Sequence, residues 1–269
     1  MALEGIYKTF LDVVTRNELE GTNPYQMAPG TTGKSGWTFG QLQWDLSTTH
    51  EIYNNYNARD LFRNIITDSN LFNEIELDNI MKKIVIKNSD ISEYENRINQ
   101  ALSSEQGVKK IQEALPKDID HNLNRVNELI DLITETNDHA SEEFLNQDSV
   151  KMFLMDYNNQ FGLDRGGKME NFLLGNEVDF GGQNGTKKIH MGLEGNLDWN
   201  YLLKAVFSTE WGQKRPDDIA RRFSNLIEGV GIYNMGFTAK NIDYLFSNIL
   251  YKCNKFSTIM CNKGNKGLN

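Results

Sequence analysis

The sequence predicts a mainly α-helical protein of the α+β type, with a small β element near residues 35–45. Apolar residues recur at three- and four-residue spacing along most of the chain, which is typical of helices that pack one face into a core. Glycine, proline and asparagine concentrate in two stretches, 21–46 and 162–196, where a regular helix cannot continue. With 269 residues, of which 39% are hydrophobic, the chain is long enough to bury a substantial core.

The first helix is predicted over residues 2 to about 19, where one apolar stripe is formed by Leu3, Ile6, Phe10, Val13 and Val14. The stretch 21–46 is predicted to be irregular, with a short strand or hairpin around Trp37–Trp44. Pro116 is expected to stop a helix at residue 115. The further helices are predicted over 58–67, 76–87, 91–102, 104–115, 120–136, 140–160, 198–208, 216–228 and 238–258.

The second glycine-rich stretch, 162–196, is long for a structureless loop, so we expect a functional loop, a small hairpin or a mobile lid. The resulting organisation has three parts. Residues 1–60 form a catalytic N-terminal part, 61–160 a helical middle region, and 161–269 a C-terminal helical part that closes back on the first.

The acidic balance, a net charge of −9 and a pI of about 5.1, argues against nucleic acid and anionic membranes as partners. The chain contains no apolar run of transmembrane length, and its first residues lack the basic segment of a secretory signal. We therefore expect synthesis in the cytoplasm without a signal peptide.

Cys253 and Cys261 lie eight apart in a helical pattern, too far for a disulfide unless the helix breaks, and we expect two free thiols. The four histidines are scattered without metal-ligand spacing. No metal or organic cofactor is expected.

The first helix ends in a candidate general acid. Ile6, Val13 and Glu20 are seven apart and so lie on one line of the helix. A carboxylate at the end of an apolar stripe is partly desolvated, and desolvation raises a carboxyl pKa towards the range that a general acid needs. If the helix frays at Leu19, Glu20 instead turns to solvent. Glu18 is the second, weaker candidate.

The segment "WTFGQLQWD" places a hydroxyl and a second carboxylate close together, at Thr38 and Asp45. Strict strand alternation would put these two side chains on opposite faces, so a turn or bulge at Gly40 is needed to bring them together. An acid, a carboxylate and a hydroxyl are the groups that glycosidic bond hydrolysis uses. The expected substrate contacts are Tyr25, Trp37, Gln41 and Gln43. Among the four tryptophans, core packing is expected for at least two.

A family resemblance accompanies these residues. "IYKTFLDVVTRNELEG" followed by "SGWTFGQLQWDL" resembles the start of phage-type lysozymes, including pesticin-like muramidases. The resemblance implies a lysozyme-like helical fold in which Glu20 is the acid, Thr38 the triad threonine and Asp45 the second carboxylate. Asp45 stands one residue further from Thr38 than the family pattern has it.

A second match lies near the other end of the chain. "EWGQKRPDDIARRFSNLIEG" resembles a late helix of the same family, in which a proline starts a helix carrying an arginine pair. Pro216 fits the first turn. For Arg221 and Arg222 a solvated face or an ion pair is the favoured role. The middle region carries no recognised resemblance and is predicted to be a helical insertion.

Taken together, the resemblance implies a muramidase that cleaves the β-1,4 bond between N-acetylmuramic acid and N-acetylglucosamine in bacterial peptidoglycan. The protein would reach the cell wall after release or export, with a separate delivery or secretion partner. "ELEG" and "GQLQ" also resemble elements of lytic transglycosylases, which implies Glu18 as the acid and Gly40 and Gln43 as cleft residues. A non-catalytic structural or effector protein on a lysozyme-like scaffold remains the third alternative.

Overall fold

The computed structural model describes residues 4–19, 21–30, 35–48, 51–136, 141–180, 190–191, 196–238 and 241. The described chain is mainly helical with small antiparallel sheets, which confirms the predicted fold class. Most of the helix predicted over 238–258, and both cysteines, lie outside the described residues. The chain divides into two compact units, Met1–Asn122 and Leu123–Asn269. The three-part organisation drawn from the sequence concerns functional parts and stays a prediction.

Unit 1 begins with helix α1, Ile6–Leu19, followed by five short strands and three helices. The strands are β1 (Ala28–Pro29), β2 (Trp37–Phe39), β3 (Trp44–Asp45), β4 (Glu51–Tyr53) and β5 (Tyr56–Asn57). The helices are α2 (Ala58–Asp68), α3 (Glu74–Lys83) and α4 (Ser92–Ser103), and the long helix α5 (Glu105–Thr136) begins in this unit. Strands β1, β2 and β3 form an antiparallel sheet in that order, and β4 pairs with β5.

Capping and turn chemistry fix the start of α2. Asn54 and Asn55, both with positive φ, form the two-residue turn between β4 and β5, and asparagine tolerates this left-handed conformation better than most residues. Asn57 then caps α2 by accepting from the backbone of Asp60, whose carboxylate accepts from the backbone of Asn57 in return. The helix therefore starts at residue 58, as the sequence predicts.

The core of unit 1 includes apolar side chains from α1, from the first sheet and from α2. Phe10, Val13 and Val14 of α1 are buried. Phe39 of β2 contacts Trp44 of β3 edge to face, with ring centroids 5.4 Å apart, and Phe62 of α2 at 5.6 Å. Burial of aromatic rings of this size dominates core energetics.

Pro116 does not end a helix, and this prediction was wrong. Helix α5 runs for 32 residues with Pro116 inside it. The buried positions continue at helical spacing on both sides of the proline: Ile111, Ala114, Leu115, Ile119, Val126, Leu129, Ile130 and Ile133. Burying this continuous stripe outweighs the cost of an internal proline, about 3 kcal/mol.

The described part of unit 2 contains the helices that follow α5 and one strand pair. They are α6 (Glu142–Leu145), α7 (Asp148–Phe161), α8 (Lys168–Leu173), α9 (Trp199–Ser208), α10 (Glu210–Lys214), α11 (Pro216–Val230) and a 3-10 helix (Ile232–Met235). Strands β6 (Val178–Asp179) and β7 (His190–Met191) pair antiparallel, as the small-hairpin alternative for 162–196 requires.

The helix predicted over 140–160 is two helices in the structure. Ser141 caps α6 through its side chain, and the extended backbone of Gln147 (ψ 134°) interrupts the helical path before α7. Around α9, the indole of Trp199 is fully buried among aromatic rings and donates to the carbonyl of Met235 at 2.6 Å. This aromatic cluster is the centre of the unit 2 core.

Candidate functional site

The candidate site is a hairpin built by β2 and β3 in unit 1. Gly40, with φ +80°, opens the connecting turn, and the backbone N–H of Gln43 closes it by donating to the Gly40 carbonyl at 3.1 Å. The turn sets a register in which Thr38 pairs with Asp45. Because cross-strand partners project to the same face of a sheet, the hydroxyl and the carboxylate share one face. In one continuous strand, Thr38 and Asp45 would lie on opposite faces. The turn at Gly40 places them on two paired strands instead, where they share a face.

Asp45 is held by loop backbone on both sides of the hairpin. Its Oδ1 accepts from the backbone N–H of Gly36 at 3.1 Å, and from both the N–H and the hydroxyl of Ser47 at 2.7 Å each. The bond to a residue two positions on is an Asx turn, a common structural role of aspartate. Within the described part of the chain, Oδ2 has no hydrogen-bond donor. Oδ1 of Asp45 therefore has a structural role in holding the hairpin.

Thr38 lies beside Gln43 on the same face. The Thr38 side chain is buried, with 8% of the residue exposed, and its Oγ1 lies 2.7 Å from Gln43 Oε1 and 3.2 Å from the Ala28 carbonyl oxygen. The Gln43 amide also donates through Nε2 to the Gly40 carbonyl at 3.0 Å. Gln43, expected as a substrate contact, is thus bonded to the protein at both ends of its amide.

The other expected substrate contacts differ in accessibility. Tyr25 is half-buried, and its hydroxyl accepts from Gln112 Nε2 at 3.3 Å. Gln41 is half-buried in the hairpin turn, and its Oε1 is buried without a partner among the described residues. Trp37 is 9% exposed and donates from Nε1 to Ser89 Oγ at 3.1 Å. An indole packed in this way offers no open face to a sugar ring, so Trp37 belongs to the core together with Trp44 and Trp199.

The proposed acid, Glu20, lies outside the described residues. Helix α1 is described up to Leu19, and Gly21 follows with φ +91°, a conformation that favours glycine and does not extend a helix. Glu18, the alternative acid, is half-buried on α1 and already takes part in an interaction within the protein. The last turn of α1 also buries a polar side chain, Asn17.

The late helix is α11, and its charged residues form ion pairs. Pro216 is its first residue, as expected. Arg221 contacts Asp218 at 2.6 Å, and Arg222 contacts both Asp218 at 3.3 Å and Asp156 of α7 at 3.1 Å. Burial by itself raises the pKa of Asp218, but the two guanidinium groups and the donated indole N–H of Trp211 outweigh it, so the pKa is lowered. Ion pairing, one of the two roles favoured from the sequence, is what the arginine pair does.

Two buried acidic side chains were missed from the sequence. Asp118 of α5, 2% exposed, accepts from Trp44 Nε1 at 2.5 Å. Glu170 of α8 accepts from Arg125 at 2.7 Å and from the backbone N–H of Gly166 at 2.9 Å. Asp118 lies on the apolar stripe of α5, immediately before Ile119, and this position is a signal that the sequence does carry. Glu170 follows a glycine pair with no comparable signal.

Across the described side chains, no three histidine, cysteine, aspartate or glutamate residues come together as metal ligands would. Nor does any helix in the described ranges have both the length and the apolar character needed to span a bilayer. No family model, curated protein or solved structure matches this chain.

Proposed function

We propose that this protein is a peptidoglycan-degrading glycoside hydrolase, a muramidase that cleaves the β-1,4 bond between N-acetylmuramic acid and N-acetylglucosamine. The observation that carries the proposal is the cross-strand pairing of Thr38 with Asp45. This pair lies on a sheet that follows α1, which is described up to Leu19, the residue before Glu20 in the sequence. The resemblance of these segments to phage-type lysozymes supports the same assignment.

In the proposed reaction, Glu20 protonates the leaving glycosidic oxygen. A water molecule attacks the anomeric carbon as the bond to the leaving sugar breaks, and its proton passes to Asp45. Thr38 holds this water beside Asp45, which uses Oδ2 because Oδ1 is bonded to Gly36 and Ser47. Tyr25 and Gln41, which are both half-buried, are the proposed substrate contacts. No metal or organic cofactor takes part, and the protein acts on the cell wall after release or export by a separate system.

Zymography on purified peptidoglycan tests the proposal. The wild-type protein should clear the gel, and Glu20→Gln should lose activity by at least about 10²-fold, because a neutral amide cannot donate the proton. The matched control is Glu18→Gln, the same change two residues earlier on α1. Activity that survives in Glu20→Gln and disappears in Glu18→Gln would instead favour the transglycosylase-like alternative. Mass spectrometry separates the two chemistries, since only transglycosylation yields 1,6-anhydro products.

One observation favours a second candidate, a non-catalytic binding or structural protein on the same scaffold. Oδ1 of Asp45 accepts three hydrogen bonds from loop residues, and the Thr38 hydroxyl is bonded within the hairpin. Both residues therefore have structural roles that need no substrate. Co-sedimentation with insoluble peptidoglycan, without any release of soluble muropeptides, would support this candidate over the enzyme.

A further inference from the structure

The Thr38 hydroxyl has one hydrogen and two acceptors near it. Gln43 Oε1 lies at 2.7 Å, the usual separation for an O–H···O hydrogen bond, whereas the Ala28 carbonyl lies at 3.2 Å, beyond the usual range. A hydroxyl can donate to only one acceptor at a time. The shorter contact therefore takes the hydrogen.

The orientation of the Gln43 amide is fixed independently of Thr38. Its Nε2 donates to the Gly40 carbonyl at 3.0 Å, so its oxygen must face the other way, towards Thr38. The backbone of Gln43 has φ +51°, a conformation that a non-glycine side chain adopts at a cost of about 1 kcal/mol. Glycine would remove this cost but would also remove the amide that reaches Thr38.

We infer that Gln43 is a positioning residue that accepts the hydrogen of the Thr38 hydroxyl. Towards a bound water molecule, the hydroxyl oxygen can then act only as an acceptor. The inference rests on the proposed function. A water molecule between Thr38 and Asp45 then meets two acceptors and donates one hydrogen to each. Neither of its two lone pairs is then used in a hydrogen bond to Thr38 or Asp45, so one of them can face the anomeric carbon, which is the orientation that attack requires. If Thr38 donated to the water instead, one of the two lone pairs would be occupied and one O–H of the water would lose its acceptor, so the water would be oriented differently.

Neutron diffraction from crystals exchanged into D₂O tests the hydroxyl orientation without any substrate. We expect the deuterium of Thr38 to point at Gln43 Oε1. Deuterium directed at the Ala28 carbonyl, or into solvent, would overturn the inference whether or not the protein cleaves peptidoglycan.

A double-mutant cycle tests the functional consequence. Gln43→Gly should lower kcat by about 10²-fold with little change in KM, because the water loses its orientation while the substrate contacts remain. Thr38→Val should lower kcat as well, and adding Gln43→Gly to it should lower kcat no further, because Gln43 acts through Thr38. Additive losses would contradict the inference.

The matched control is Asn88→Gly, which makes the same kind of change at an exposed residue with φ +58°. It should leave kcat unchanged. Thermal unfolding of both glycine variants shows whether either change merely destabilises the protein. If the wild-type protein does not cleave peptidoglycan but the deuterium of Thr38 points at Gln43 Oε1, the proposed function is rejected and the inferred hydroxyl orientation stands. If the wild-type protein is active and Gln43→Gly has the same kcat, the proposed function stands and the positioning role of Gln43 is rejected.

Discussion

Trp44 donates its indole N–H to the carboxylate of Asp118 at 2.5 Å, and so ties the hairpin that carries Asp45 to helix α5 within unit 1. Both residues are buried. A hydrogen bond to a charged group in such a place contributes more than one between neutral groups, about 1.5–3 kcal/mol. The geometry of the hairpin face therefore depends on a residue more than seventy positions away in the sequence.

Replacing Trp44 by phenylalanine should lower the free energy of unfolding of unit 1 by roughly 2–4 kcal/mol, because the hydrogen bond is lost and a cavity replaces part of the indole. Urea unfolding followed by circular dichroism measures the change. Asp118→Asn keeps an acceptor for the indole and should cost less. An equal or larger loss in Asp118→Asn would mean that the charge, rather than the bond to Trp44, is what matters.

Gly40→Ala should destabilise unit 1 by about 2–4 kcal/mol. The added Cβ would clash with a neighbouring ring, and alanine adopts the positive φ of this position only at a cost. A Cβ at Gly40 would lie 2.6 Å from a ring carbon of Trp44. Gly21→Ala is the matched control, because Gly21 has φ +91° and, apart from its chain neighbours, no described atom lies within 4 Å of the added carbon. The control should cost only about 1 kcal/mol. Equal thermal shifts in the two variants would show that the indole moves aside.

Asp45→Asn and Asp45→Ala separate the structural role of this residue from its proposed chemistry. Asparagine keeps an oxygen for Gly36 and Ser47, and its stability should stay within about 1 kcal/mol of wild type, whereas alanine should lose roughly 2–3 kcal/mol. Both should lose activity on peptidoglycan, because neither accepts the proton from water. Urea unfolding combined with a turbidity assay on cell walls checks both parts. An active Asp45→Asn would remove Asp45 from the mechanism.

The pairing of Asp218 makes the stability of unit 2 sensitive to acid. Its folded-state pKa is lowered, so the ionised form stabilises the fold fully above the unfolded value of about 3.9. This contribution is lost as the pH falls through the folded-state pKa. Asp218→Asn should cost roughly 3 kcal/mol near pH 7, because Arg221 and Arg222 lose a charged partner.

The difference between Asp218→Asn and wild type should shrink below about pH 4, and urea unfolding at a series of pH values measures it. Asp217→Asn is the control, because Asp217 is exposed in the same first turn of α11 and contributes only through the helix dipole. A difference that grows towards low pH would contradict the assignment of the ion pair.

Pro116→Ala should stabilise unit 1 by about 1–3 kcal/mol, because alanine restores a backbone donor inside α5 and removes the steric conflict of the ring. Glu113→Ala, an exposed change one turn earlier, should have an effect near zero. Thermal unfolding of the two variants provides the comparison. A loss of stability in Pro116→Ala would show that the proline has a net stabilising effect. Its restriction of the conformations of the unfolded chain would then outweigh the strain in the helix.

Local rules predicted most helices, because helix formation leaves a periodic apolar pattern in the sequence. Helix α11 begins at Pro216 as expected, and α1 ends near residue 19 because Gly21 cannot continue it. The continuation of α5 through Pro116 was missed. It depends on the stabilisation gained by burying the apolar stripe on both sides of the proline, and this burial is seen only in the packed structure.

The same limit applies to the candidate site. Strand alternation indicated that a turn at Gly40 is needed to bring Thr38 and Asp45 together. The structure has this turn, and the two residues are cross-strand partners. The use of Gln43 as a partner of Thr38 could not be predicted, since it depends on a positive φ at a residue type that seldom adopts one. The hydrogen bond from the Trp37 indole to Ser89 could not be predicted either, because Ser89 is distant in sequence and no local pattern marks it as a partner.

Helix α5 also determines how the protein can be cut. The boundary between the two compact units, at Asn122 and Leu123, falls inside this helix rather than in a loop. Proteases bind their substrates as extended chains, so a hydrogen-bonded helix with a buried stripe resists them where an exposed linker would be cleaved. Trypsin should therefore spare the bond after Arg125 in the native protein, and limited digestion will not yield two halves divided at this boundary.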